Sequence, residues 1–172
     1  MTWTSFHRRG EVLRDVIASA NRRVDGRLPL DLPGVAETFD DELALLGALQ
    51  LRWHTRLAGR IERELLAEPL ELEDAVVAAW HATADELPGV RAILDRERTD
   101  PSTPATSEAM AKATGKEHLL LAMMAGRVST PDAAARVGAE IEERARATYR
   151  PAPVTIEEPS GLLGRLKAVI AA

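Results

Sequence analysis

Apolar residues recur along most of this chain at intervals of three and four, the spacing that puts them on one face of an α-helix. From Thr4 or Ser5 to Val24 the stripe is Phe6, Val12, Leu13, Val16, Ile17, Ala20 and Val24, and Asp25-Gly26 closes the helix. The next eight residues, Arg27 to Gly34, set apolar side chains between Pro29 and Pro33, which predicts an extended connector laid over the core. A long helix follows from Asp40 to Ala67, with Asp40 as its cap and Leu43, Leu46, Leu49, Trp53, Leu57, Ile61 and Leu65 as its spine.

Glu68-Pro69 ends that helix, and a third is predicted over Leu70–Glu86, with Leu72, Val76, Ala79, Trp80, Thr83 and Leu87 facing inward. Pro88-Gly89 stops it or kinks it into a short continuation through Val90, Ile93 and Leu94. Thr99 to Thr106, with two prolines among small polar residues, reads as a surface loop. Thr114 and Glu117 have the spacing of a capping box, so a helix is expected to start near Gly115. Leu119, Leu120, Leu121, Met123 and Met124 surround this helix and make it the most buried of the set. Thr130-Pro131-Asp132 opens a last helix with the stripe Ala134, Val137, Ile141 and Ala145, ending near Tyr149.

The pattern as a whole predicts an all-α bundle of five or six helices over residues 1–150. A proline-rich linker follows over 151–159, then an amphipathic C-terminal tail over 160–172. In the tail, Leu162, Leu163, Leu166, Val169 and Ile170 share one helical face, the arrangement of a segment that lies in a partner's groove or folds back on its own domain.

Composition narrows the chemistry. Aromatic residues make up 3% of the 172, which favours helix over sheet. There is no cysteine, which removes thiol catalysis, disulfides and thiolate metal sites. The formal net charge of −5 disfavours nucleic acid as a partner, although Arg8, Arg9, Arg22, Arg23 and Arg27 cluster early. No apolar run approaches the roughly 20 residues of a membrane span. The first residues turn charged too soon for a secretory signal, so a cytoplasmic location is expected.

His54 falls in the middle of the apolar face of the second helix and is expected to be buried. Gln50 lies one turn before it and Trp53 beside it. His118 precedes the buried leucine run and, with His54, could offer two imidazoles to an internal pocket. These four residues are the candidate ligand site, or else a satisfied polar network in the core. His81, near Asp74 and Asp85, reads as a solvent-face residue, and His7 with Glu11 as a surface pair.

The Glu-x-x-His motif of di-metal bundles does not occur, and no metal or cofactor is expected. Neither a nucleophile elbow nor a phosphate-binding glycine loop is present, so no catalytic residue is assigned. Locally, Lys116 to Met124 resembles a helix of the amino-terminal domain of Clp-type chaperones. The resemblance covers under a tenth of the chain and implies no function for the rest. The reading that remains is a non-enzymatic interaction or regulatory protein acting through protein–protein contacts or self-association, with its C-terminal helix as a docking element. The alternative is a small-molecule or metal-binding bundle with its site around His54.

Overall fold

A computed structural model describes residues 3–128 and 131–151. Seven helices occupy them, with no strand among the described residues: α1 (Trp3–Arg23), α2 (Val35–Thr38), α3 (Glu42–Leu65), α4 (Leu72–Glu86), α5 (Pro88–Thr99), α6 (Pro104–Met124) and α7 (Pro131–Thr148). The fold is the expected all-α bundle. The count exceeds five or six because Val35–Thr38, just past the proline-bounded connector, forms a one-turn helix, α2, and because Pro88 starts a helix of its own. A proline at the first helical position gives up an N–H that would have no partner there.

The spine of α3 is buried at Leu46, Leu49, Trp53, Leu57 and Ile61, joined by Leu45, while Leu43 and Leu65 at its ends are half-buried. Its cap is Asp41 rather than Asp40: the Asp41 carboxylate accepts from the Ala44 N–H at 2.7 Å. In α4, Val76, Ala79, Trp80 and Thr83 face the core as expected, but Leu72 at its first turn is exposed.

The largest departure from the sequence pattern is α6, which starts eleven residues before Gly115. Thr103 caps it, Oγ1 accepting from the Thr106 N–H at 3.1 Å, and Pro104 takes the first helical position. Once this nucleus forms, each further residue adds one hydrogen bond, and an interior Thr or Gly costs too little to stop propagation. Thr114-Gly115 is therefore mid-helix, and the expected loop shrinks to residues 100–103. Nor is α6 buried all round, since Leu121 and Ala122 are buried, Leu119, Leu120 and Met124 half-buried and Met123 exposed. It closes with Gly126 in the left-handed region at φ 66°, where the Gly126 N–H donates to Met123 O and the Arg127 N–H to Ala122 O. This Schellman arrangement satisfies two carbonyls the helix end leaves free.

Helices α3 and α4 pack as one hairpin and α6 and α7 as another, with α4 also against α7 and α5 against α6, so that α4 to α7 enclose the centre of the molecule. Helix α1 closes the far side of α5. Gly89 makes that contact possible, because a Cβ there would lie 2.0 Å from the Ala20 backbone. Asn21 fastens the junction by donating to Glu86 O at 3.1 Å and accepting from the Gly89 N–H at 3.0 Å. The buried apolar residues form one core from Val12 in α1 to Ala145 in α7. The expected linker beyond Pro151, the tail and the Thr130 cap lie outside the described residues.

Candidate functional site

A cluster of charged side chains runs from this core to its edge. Helix α5 contributes Arg91, Asp95 and Arg98, which the i, i+4, i+7 spacing aligns on one face. Helix α6 contributes Glu117 and His118, and α7 contributes Glu142 and Arg146, one turn apart. Glu117 is 4% exposed, Glu142 5% and Arg91 7%, so these charges are withdrawn from water and must be paired.

Glu142 is the hub of the cluster. It accepts from His118 Nε2 at 2.8 Å, from Arg98 at 2.8 Å and from Arg146 Nε at 2.9 Å. Arg146 also grips Asp95 with two parallel bonds of 2.7 and 3.0 Å, the fork geometry that suits a guanidinium and a carboxylate. Asp95 in turn pairs with Arg91 at 2.8 Å, and Arg91 reaches Glu117 at 3.5 Å, which also accepts from Trp80 Nε1 at 3.4 Å.

Aromatic rings wall the cluster. Trp53 and Trp80 meet edge to face with centroids 5.8 Å apart, and Tyr149 closes on Trp80 at 5.8 Å. The Arg91 guanidinium lies 4.7 Å over the Trp53 ring and that of Arg146 lies 5.3 Å over Trp80, where the electron-rich faces stabilise positive charge. Two buried donors, Trp53 Nε1 and Arg91 Nε, meet no acceptor among the described residues.

Three guanidiniums balance three carboxylates, so the cluster is neutral when His118 is uncharged. Burial alone would raise the Glu142 carboxyl, but the His118 bond and the Arg146 and Arg98 charges outweigh it and hold the group well below the usual carboxylate range. Asp95 is lowered in the same way, burial opposing and Arg146, Arg91 and Arg98 prevailing. For Tyr149, burial and then the bond to Asp85 act together, and its hydroxyl is pushed up to about 12.

Folded-state values below the ordinary 4.5 and 3.8 mean that the unfolded chain takes up protons first as pH falls. The stabilisation is complete above about 4.5 and is lost progressively below it. Melting followed by circular dichroism should therefore show a midpoint that drops as pH falls below about 4.5. The drop should be shallower in Glu142→Gln.

Of the four residues singled out from sequence, the structure brings Trp53 and His118 to this cluster and leaves Gln50 and His54 outside it. His54 is half-buried rather than buried, and its ring makes no hydrogen bond or ion pair with another described residue, Gln50 included. Gln50 lines a groove of about 230 Å³ between α3 and α6, with Leu43, Gly47, Met110 and Ala113. His81, expected on the solvent face, is half-buried with Nε2 2.8 Å from Ala145 O, because α7 packs across that face of α4. Glu117, read as a helix cap, is instead the buried partner of Arg91. Among the described residues no group of three or more His, Asp or Glu is placed to hold a metal ion.

Arg91, Asp95, Arg98, Glu142 and Arg146 were not singled out, yet a signal was present. Arg91 sits at i+4 from Leu87 and i−3 from Leu94, within an apolar stripe, and Glu142 likewise stands at i−3 from Ala145. A charge at a core register has to be paired in the fold.

A second feature lies on the surface. Among the described residues seven large apolar side chains are exposed, and Leu66, Leu70, Leu72 and Met123 share one end of the bundle, where α3 and α6 finish and α4 begins. Leu72 lies over Gly126, and Arg127 pairs with Glu73, which ties the α6 end to the start of α4. Leu70 is 100% exposed and Leu66 82%. Glu62, Glu64, Glu68 and Glu71 border this corner and form no ion pair with another described residue. No helix among the described residues is long and apolar enough to cross a membrane. Comparison with protein families, with characterised proteins and with solved structures finds no match for this chain.

Proposed function

We propose that this chain is a non-enzymatic, cytoplasmic interaction protein that works through its surface, meeting a protein partner or a second copy of itself. The observation that carries this reading is the apolar corner of Leu66, Leu70, Leu72 and Met123. Exposed apolar side chains scattered singly are ordinary, whereas several at one end of a small bundle mark a contact surface. The interior supports the same reading, since Glu142 is already engaged by Arg98, Arg146 and the His118 ring and is not poised to take a proton from a substrate. The amphipathic segment with Leu162, Leu163, Leu166, Val169 and Ile170 is the second docking element.

The test compares three baits: the full chain, Leu66→Glu/Leu70→Glu, and a chain ending at Arg150. Captured proteins are identified by crosslinking and mass spectrometry, and self-association by analytical ultracentrifugation. A partner, or a dimer, that is kept by the full chain and lost from the double variant supports the corner. Loss on truncation alone assigns the contact to the tail. Three baits that recover the same background and are all monomeric overturn the reading.

One observation favours the alternative of a small-molecule site: Gln50 opens onto the α3–α6 groove, with His54 one turn further along α3. A thermal-shift screen of small polar ligands against the full chain and Gln50→Leu separates it from protein docking. Only a groove site gives a shift that the substitution abolishes.

A further inference from the structure

We propose that the segment from Gly161 to Ala172 seats on the apolar corner of its own bundle, with its leucines against Leu66, Leu70 and Leu72 and its basic residues against the glutamate border. This rests on the reading of the corner as a docking surface and adds a resident segment that a partner or second copy has to displace.

Complementarity selects the segment. Residues 160–172 carry Leu162, Leu163, Leu166, Val169 and Ile170, together with Arg165 and Lys167, and no acidic residue. The corner offers the opposite: exposed leucines bordered by Glu62, Glu64, Glu68 and Glu71, with Arg63 as the basic residue among them. The other concave surfaces fit less well. The cleft between α1 and α3 has Arg14 and Arg52 and no acidic residue in its lining, which disfavours Arg165 and Lys167. The α3–α6 groove is lined by no charged residue, and much of its wall is Gly47, Ala109 and Ala113, which leaves less apolar surface to cover. The hollow at the start of α3 does carry Asp40, Asp41 and Glu42, but it faces a helix N-terminus whose dipole offsets acidic charge, and Asp41 is spent on the cap.

The chain can reach. The end of α7 is pinned beside Asp85 by the Tyr149 hydroxyl at 2.8 Å. From Asp85 back to Leu72, α4 covers about 20 Å at 1.5 Å per residue. Residues 152–160, with Pro153 and Pro159, span about 28 Å when extended at 3.1 Å per residue. A tether of matching length holds the segment at an effective concentration of order millimolar, which favours its own corner over that of another molecule in dilute solution.

Because the chain lacks cysteine, Ala168→Cys places a single nitroxide on the segment. In the 15N-labelled full chain, the proposal expects loss of amide signals over residues 64–74 and their return when the label is reduced. The loss should be unchanged on dilution and relieved by Arg165→Glu/Lys167→Glu. A second sample mixes 15N chain lacking the label with unlabelled, nitroxide-bearing chain. Signal loss over residues 64–74 in that mixed sample as well means that a second copy is the occupant, and overturns the proposal. Loss centred on residues 43–50 and 109–113, or none at all, also overturns it. If the corner variant Leu66→Glu/Leu70→Glu loses a partner or a dimer while the nitroxide leaves residues 64–74 untouched, the docking surface stands and only the occupant named here is wrong.

Discussion

Replacing Glu142 with alanine should destabilise the bundle by about 3 kcal/mol, the lower end of what is lost when one member of a buried ion pair is removed. The substitution leaves Arg98 and Arg146 to share the single carboxylate of Asp95 and takes the acceptor from His118 in one step. The lower end applies because the Arg98 and Arg146 side chains are 32% and 30% exposed and can turn partly to water. For a chain of this length the loss corresponds to a fall in midpoint of roughly 6–12 °C. His118→Leu should cost less, since both arginines still neutralise the carboxylate. Urea titrations of the three proteins check the order. Equal stability of Glu142→Ala and the parent chain would mean that the charges of the cluster are dispensable.

Gly138→Ala should be at least as damaging, although it adds one methyl group. A Cβ at Gly138 would stand 2.1 Å from His118 O and 2.4 Å from His118 Cα, so α7 lies against the α6 backbone and neither partner is a side chain that can step aside. The helices must separate, and Glu142, one turn along the same face, then withdraws from the His118 ring. Overpacking of this kind costs about 3 kcal/mol or more. Gly115→Ala is the matched control, since it lies in the interior of α6 with nothing within 4 Å of its Cβ position. There the same change should stabilise by about 0.5–1 kcal/mol through helix propensity. Thermal melts of the two variants should therefore shift in opposite directions. A neutral Gly138→Ala would show that the α6–α7 contact tolerates expansion.

The helices and most core registers were legible because periodicity reports burial directly. Leu49, Trp53, Leu57 and Ile61 in α3, and Ala134, Val137, Ile141 and Ala145 in α7, are buried as their spacing predicts. Helix limits were less legible where two local signals competed. Thr114 with Glu117 has the pattern of a cap, but Thr103-Pro104 nucleates earlier and Glu117 is drawn to Arg91 instead. The ionic cluster was missed because its members come from three helices, and the core registers of Arg91 and Glu142 do not say which charges meet them. His54 misled for the opposite reason. It sits on the apolar side of α3, but the neighbouring helices leave it half-covered.

The links that cross between helices in the cluster join positions 24 to 51 residues apart, from His118–Glu142 to Arg146–Asp95. They can close only after α5, α6 and α7 have met, whereas the apolar stripes draw the helices together without any fixed register. Such contacts belong to the native side of the folding barrier. Glu142→Ala should accordingly speed unfolding far more than it slows refolding, with a φ-value near zero in stopped-flow measurements. The charges of the cluster would then govern how long the folded chain persists rather than how fast it forms, a kinetic lock carried by side chains that take no part in assembly.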